Sequence, residues 1–172
     1  MKRVYLDSSA IVKRYVKERG TEVVDLVFDN AELGNVKIFF SIWNIGEALG
    51  VLDRYRRRNL ISSKEFESAL SKFASEFLKL VKLHQLDLIP LYSDIIADSL
   101  DIILRYHIYE ADAIQIVSSK YCNSEVFLTA DKQLVEIAKD LGISTATVTR
   151  AAYSLYQERG GWQMLLRKIG LI

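Results

Sequence analysis

Short apolar runs alternate with longer stretches of helical spacing along most of the chain. Val4-Tyr5-Leu6 contains only apolar β-formers, the pattern of a strand covered on both faces, and it stops at Asp7. Three further runs read as strands: Val36 to Phe40, Leu86 to Leu91 with Pro90 near its end, and Glu125 to Leu128. Ile143 to Val148 reads as a fifth strand, at a sheet edge. Helical spacing fills the intervals. Ile11, Val12 and Tyr15 predict a helix from Asp7 to about Lys17, broken at Gly20, and Val23, Val24, Leu26 and Val27 predict the next. Ile42, Ile45, Leu49 and Leu52 mark a helix capped by Ser41. Phe66, Leu70, Phe73, Phe77 and Leu80 mark a long helix capped by Ser62 or Ser63, paired with the previous one as a hairpin. Three more follow, around Ile95 to Ile103, Ile114 to Val117, and Leu134 to Leu141. Strands alternating with helices predict an α/β fold: three layers, α/β/α, with a central, mostly parallel sheet of four to five strands.

The 172 residues, half of them hydrophobic, suffice for one well-packed domain. Residues 1–149 make up its body, and 150–172 read as a C-terminal helical extension interrupted at Gly160-Gly161. A net charge of +1 supplies no global field toward nucleic acid, so any such binding needs a local basic patch. Cys122 is the only cysteine, which excludes an internal disulfide and a cysteine zinc cluster and fits a reducing, cytoplasmic setting. Asp7 interrupts the first apolar run too early for a signal peptide. The most apolar window, Ile38 to Leu52, contains Asn44 and Glu47 and falls short of the ~20 residues of a membrane span. A soluble protein without a membrane partner is expected.

The chemistry-bearing residues are acids at the ends of elements. Ligands of parallel sheets sit outside the carboxyl ends of the strands. Asp7 and Asp131 each directly follow a predicted strand, while Glu47 and Asp112 lie in the first turns of helices. Each has a purely local role open to it, as an N-cap or as a complement to the helix dipole. Together they have another. Two carboxylates ~4 Å apart repel by about 4 kcal/mol at an effective dielectric of 20, so several in one crevice take up protons or bind a cation. All-oxygen ligands favour magnesium or manganese over zinc, and such an ion needs only one or two direct carboxylates. Gly46 and Gly50, one turn apart beside Glu47, predict a close approach to a neighbouring element. His84 and His107 are distant from the acids in sequence and are expected to be ordinary surface or partly buried residues.

Four stretches, Val4-Tyr5-Leu6-Asp7-Ser8-Ser9-Ala10-Ile11, Asn44-Ile45-Gly46-Glu47-Ala48-Leu49, Glu110-Ala111-Asp112-Ala113-Ile114 and Leu128-Thr129-Ala130-Asp131-Lys132-Gln133-Leu134, occur in that order. In them the sequence resembles the PIN-domain family, and within it the VapC-type toxin nucleases. The resemblance implies acidic metal-binding and catalytic positions at Asp7, Glu47, Asp112 and Asp131, a family hydroxyl at Thr129, and support from Ser8. It implies Mg2+- or Mn2+-dependent cleavage of RNA phosphodiesters by metal-activated water, leaving a 5′-phosphate and a 3′-hydroxyl. Asp7 and Asp112 are the first choices for direct ligands, with Glu47 and Asp131 orienting water or holding a second ion. It also implies a homodimer, silenced by a small antitoxin that inserts a basic side chain into the acidic site. Residues 150–172 extend past the family's usual end and receive no role from it. Arg54, Arg56, Arg57 and Arg58 around Tyr55, with Lys13 and Arg14 following Asp7, are the candidate RNA contacts. Two other functions compete. One is a non-catalytic PIN module that binds RNA or a protein. The other is an aspartyl-phosphate enzyme, against which Ser9 stands where dehalogenase-like phosphatases carry a second aspartate.

Overall fold

In a computed structural model of the chain, residues 1–148 and Arg167 are described. Five strands, β1 (Lys2–Leu6), β2 (Val36–Ser41), β3 (Leu86–Ile89), β4 (Val126–Thr129) and β5 (Thr145–Thr147), lie in the order β3-β2-β1-β4-β5. Every neighbouring pair is parallel, with Val4 opposite Ile38 on one side and Val126 on the other. β1 is therefore the central strand, and its carboxyl end opens at the middle of the sheet.

Seven helices among the described residues connect the strands: α1 (Ser8–Lys13), α2 (Thr21–Glu32), α3 (Ile42–Arg57), α4 (Ser63–Lys82), α5 (Ser93–Tyr106), α6 (Glu110–Tyr121) and α7 (Lys132–Asp140). Side chains alternate across a strand, so β1 sends Val4 and Leu6 to one layer and Tyr5 to the other. Val4, Leu6, Ile38 and Phe40 join a core with α1 to α4. Tyr5, Phe39 and Phe127 join a second core with α5 to α7, where Tyr5 stacks on Phe127 at 5.8 Å. The expected three layers are thus present. No helix among the described residues is long and apolar enough to cross a membrane. The helical extension expected over 150–172 lies outside the described residues, apart from a helical Arg167.

Several local expectations differ from the structure. α1 ends at Lys13 rather than near Lys17, because the chain tightens there: Arg14 and Tyr15 donate three residues back, to the carbonyls of Ile11 and Val12. β3 stops at Ile89, before Pro90, which has no N–H to continue a ladder. Gly46 and Gly50 answer no close approach among the described residues, since a Cβ at either would meet none of their atoms within 4 Å. The glycine that does so is Gly20, at φ 94°, where a Cβ would lie 2.6 Å from the carbonyl oxygen of Val148. Val148 itself donates to the Thr129 carbonyl, so the end of β5 is tied both to β4 and to the turn before α2.

Arg14 is also not where the sequence suggested. Its guanidinium bridges Asp25 of α2 at 2.6 Å and Glu76 of α4 at 2.7 Å, and it lies over the Phe28 ring. It binds three helices together and does not line the acidic cavity described below. Removing one partner of a buried pair strands the other's charge. Arg14→Met is accordingly expected to lower the unfolding free energy by about 3 kcal/mol, read by urea denaturation. An unchanged midpoint would show that the three-helix bridge contributes nothing.

Candidate functional site

Four chain segments converge at the carboxyl end of β1. The Asp7 N–H still belongs to the sheet and donates to the Leu128 carbonyl at 3.1 Å. Its side chain then turns back to cap α1: Oδ1 accepts from the Ala10 N–H at 2.8 Å and the Ser9 hydroxyl at 2.7 Å. Oδ2 accepts from Thr129 Oγ1 at 2.6 Å, and Thr129 Oγ1 accepts from the Asp131 N–H at 2.9 Å. Ser9 Oγ accepts from the Ala130 N–H. The ends of the two central strands are in this way stitched by short polar residues, and Asp131 follows as the N-cap of α7, accepting from Gln133 and Leu134. The local capping roles open to Asp7 and Asp131 are therefore real, and each carboxylate still faces the cavity.

Glu47 arrives from the other side, on the second turn of α3. Its Oε2 accepts from Ser8 Oγ at 2.6 Å and from Gln115 Nε2. Asp112, in the first turn of α6, receives no hydrogen bond from the described residues. All four acids line one cavity of about 410 Å³, together with Ser8, Ser9, Lys13, Glu18, Arg54, Tyr55 and Gln115. Its five carboxylates, those of Asp7, Glu18, Glu47, Asp112 and Asp131, outnumber its two cations, Lys13 and Arg54. Lys13 is paired to Glu18 at 3.1 Å. Among the described residues no lysine, arginine or histidine forms an ion pair with Asp7, Glu47, Asp112 or Asp131. A larger cavity of about 510 Å³ between α5, α6 and α7 sets three aspartates against Arg105 and Lys120, leaving a smaller excess of charge.

The electrostatic consequence is visible in two groups. Burial pushes the Asp7 carboxyl up from 3.8 to about 6, against the lowering effect of Thr129, Ser9 and the Ala10 N–H. Burial likewise pushes Asp112 up from 3.8 to about 6, aided by the charges of Asp131 and Glu47. Among the described residues no three acidic, histidine or cysteine side chains stand so as to hold a metal ion between them. A hydrated Mg2+ does not need three, because it keeps waters and takes one or two carboxylates directly. The donor set, oxygen-rich and with more carboxylates than cations among the described residues, fits such an ion.

The candidate RNA contacts separate. Lys13 and Arg54 line the cavity. Arg56 and Arg57 are drawn to Asp53 at 3.0 and 2.8 Å, with Arg56 also over Phe66, and Arg58 caps the end of α3. His84 and His107 hold left-handed turns after α4 and α5, away from the cavity. Sequence reading missed Tyr5, Asn44 and Gln115 as members of the site. Their signal was a polar group inside an apolar stretch, such as Gln115 between Ile114 and Ile116, since a buried amide must find partners.

A raised carboxyl pKa means that the folded chain holds its proton more tightly than the unfolded one. The stabilisation is complete below pH 3.8 and is lost as pH rises through about 6. Asp112→Asn removes that loss. In metal-free buffer at pH 7.5 the variant is expected to be more stable than the parent to urea, with the two converging toward pH 4. A parent more stable than the variant at pH 7.5 would show that Asp112 is compensated by a group within the protein.

The profile of the PIN domain matches residues 4–140 of the chain. No curated protein matches it significantly. Among solved structures it is similar to PAE2754 from Pyrobaculum aerophilum, with a TM-score of 0.61 and 15% identity over 98% of this chain and 90% of that one. It is similar to FitAcB from Neisseria gonorrhoeae, with a TM-score of 0.58 and 15% identity over 84% and 97%. It is also similar to VapBC2 from Rickettsia felis, solved bound to a DNA fragment from their promoter, with a TM-score of 0.53 and 12% identity over 84% and 98%. At such identities the likeness concerns the fold. PIN domains are generally nucleases and typically use divalent metals. With the profile running through most of the chain and the sheet carrying its acids at one end, the protein belongs to the PIN domain family.

Proposed function

We propose that this protein is a Mg2+- or Mn2+-dependent endoribonuclease and the toxin of a toxin–antitoxin pair. The observation that carries the reading is the convergence of Asp7, Glu47, Asp112 and Asp131 on one cavity, with no ion-pair partner among the described residues. Asp7 and Asp112 are assigned as direct metal ligands. Thr129, Ser9 and the Ala10 N–H hold Asp7 in place, and Asp112, bare of hydrogen bonds from the described residues, is free to turn toward an ion. Glu47 and Asp131 orient and deprotonate the attacking water or hold a second ion, with Ser8 fixing one oxygen of Glu47. A bound divalent ion would lower the pKa of water and offset the charge growing on the phosphate. Arg54, with Lys13 deeper in the cavity lining, contacts RNA phosphates, and Arg56, Arg57 and Arg58 continue the basic track along α3.

The partners belong to the same reading. An antitoxin is supported by the VapC-type motifs and by the fold shared with VapBC2. A basic side chain entering the cavity would supply the positive charge it lacks. A homodimer is supported by Ile96, Leu100 and Leu104, exposed apolar residues on α5 that a second copy would cover. The buried, reduced Cys122 suits the cytoplasm.

Mixed RNA incubated with Mn2+ is expected to yield fragments with 5′-phosphate ends, and chelation should stop the reaction. Asp7→Asn and Asp112→Asn should each reduce the rate by about 100-fold or more, because a lost ligand weakens the hold on the ion that would activate water. No cleavage by the parent would leave a PIN module that binds without cutting, and equal cleavage by the parent and both variants would show that the activity does not come from this site. Arg54→Ala should weaken RNA binding alike across sequences and lower the salt slope of log K by about 1, read by anisotropy titrations in chelator. A slope identical to the parent's would remove Arg54 from the RNA track.

A further inference from the structure

Beneath the acid cavity runs a set of neutral side chains, all buried, whose hydrogen bonds point one way. The Tyr5 hydroxyl donates to Asn44 Oδ1 at 3.0 Å. Burial holds that phenol well above its ordinary range, so it remains a donor. Asn44 Nδ2 donates to Gln115 Oε1, and Gln115 Nε2 donates to Glu47 Oε2 and to Ser8 Oγ at 2.9 Å. Ser8 Oγ donates to the same Glu47 oxygen. The chain of donors thus starts on β1, crosses α3 and α6, and ends on a carboxylate. The orientation of the Gln115 amide is required by its neighbours: reversed, its oxygen would face the Glu47 carboxylate and its nitrogen the Asn44 nitrogen.

Gln115 is only 3% exposed, and α6 is buried through seven consecutive residues, Ala113 to Ser119. Packing alone would be served by an apolar residue there, since a buried amide is costly unless it is bonded. Glu47, in contrast, is only partly buried on α3, so its side chain depends on these hydrogen bonds for its orientation.

We propose that Gln115 is a positioning residue for the metal site: with Ser8 it fills one oxygen of Glu47 from the buried side, so that the other oxygen, Oε1, is presented to the ion or its water. This rests on reading the acid cavity as a divalent-metal site. Hydrogen-bonding partners of metal-bound carboxylates set ligand orientation, and their loss commonly weakens metal binding by about 10–100-fold.

The test is Mn2+ affinity by titration calorimetry, with circular dichroism reporting the fold. Gln115→Met keeps the volume and removes the donor. Ser8→Ala removes the other donor and leaves the Gln115 donation to Glu47 in place. Each is expected to weaken Mn2+ binding by about 10–100-fold. In a Glu47→Gln background, Gln115→Met should weaken it no further, because the residue acts through Glu47. Parent-like affinity in both single variants would overturn the proposal while leaving the metal site intact. So would an equal loss in the Glu47→Gln background, which would show a general structural role. A parent protein that binds no Mn2+ at all would instead overturn the reading of the cavity.

Discussion

Negative charge gathered at the carboxyl end of a parallel sheet, with its four convergent acids unpaired by any cation among the described residues, is the constraint from which the rest of this molecule follows. β1 is central, so the residue after it enters the middle of the crevice, and that residue is Asp7, 3% exposed. Burial of such a group is costly, and the chain meets the cost with neutral donors: a hydroxyl from Thr129, another from Ser9 and the N–H of Ala10. The same α1 helix shows the alternative a few residues later. There Arg14 forms ion pairs with Asp25 and Glu76 and ties three helices together. One end of α1 uses ion pairs to hold the fold. The other withholds them and leaves a site whose missing charge has to come from elsewhere.

The acids are not held alike. Asp7 and Asp131 share Thr129 as a common support from β4, which couples the two strand ends. Glu47 depends on a separate network reaching through Ser8 and Gln115 to Asn44 and Tyr5. Asp112 has neither support, and its carboxyl is raised to about 6 by burial and by its acidic neighbours. Two rigid groups, a third fixed at one oxygen and a fourth free to turn form a site that can close around a small hydrated ion.

Much of this was legible in the sequence, because the signals were local. Apolar runs that end at an acid mark the carboxyl ends of β1 and β4 directly, and Asp7 and Asp131 stand there. Glu47 and Asp112 could be placed on early helical turns for the same reason. What escaped reading depended on where side chains go in space. Arg14 lies beside Lys13 in sequence, yet a helix turns successive residues by about 100°, so Lys13 lines the cavity and Arg14 points into the α2–α4 groove. Gly46 and Gly50 suggested crowding, and no described residue comes within 4 Å of where their Cβ atoms would stand. Gln115 and Asn44 are single polar residues in apolar surroundings. Their partners come from up to 110 residues away, as Tyr5 and Gln115 do, so no local pattern marks them.

The most direct trial of the central claim is a crystal of the protein grown or soaked with Mn2+ and measured for anomalous scattering. The account predicts a peak inside the cavity bounded by Asp7, Glu47, Asp112 and Asp131, with at least Asp7 or Asp112 in direct contact and waters completing the shell. An ordered cavity without a peak, or one whose carboxylates are each claimed by a lysine or arginine side chain, would contradict it.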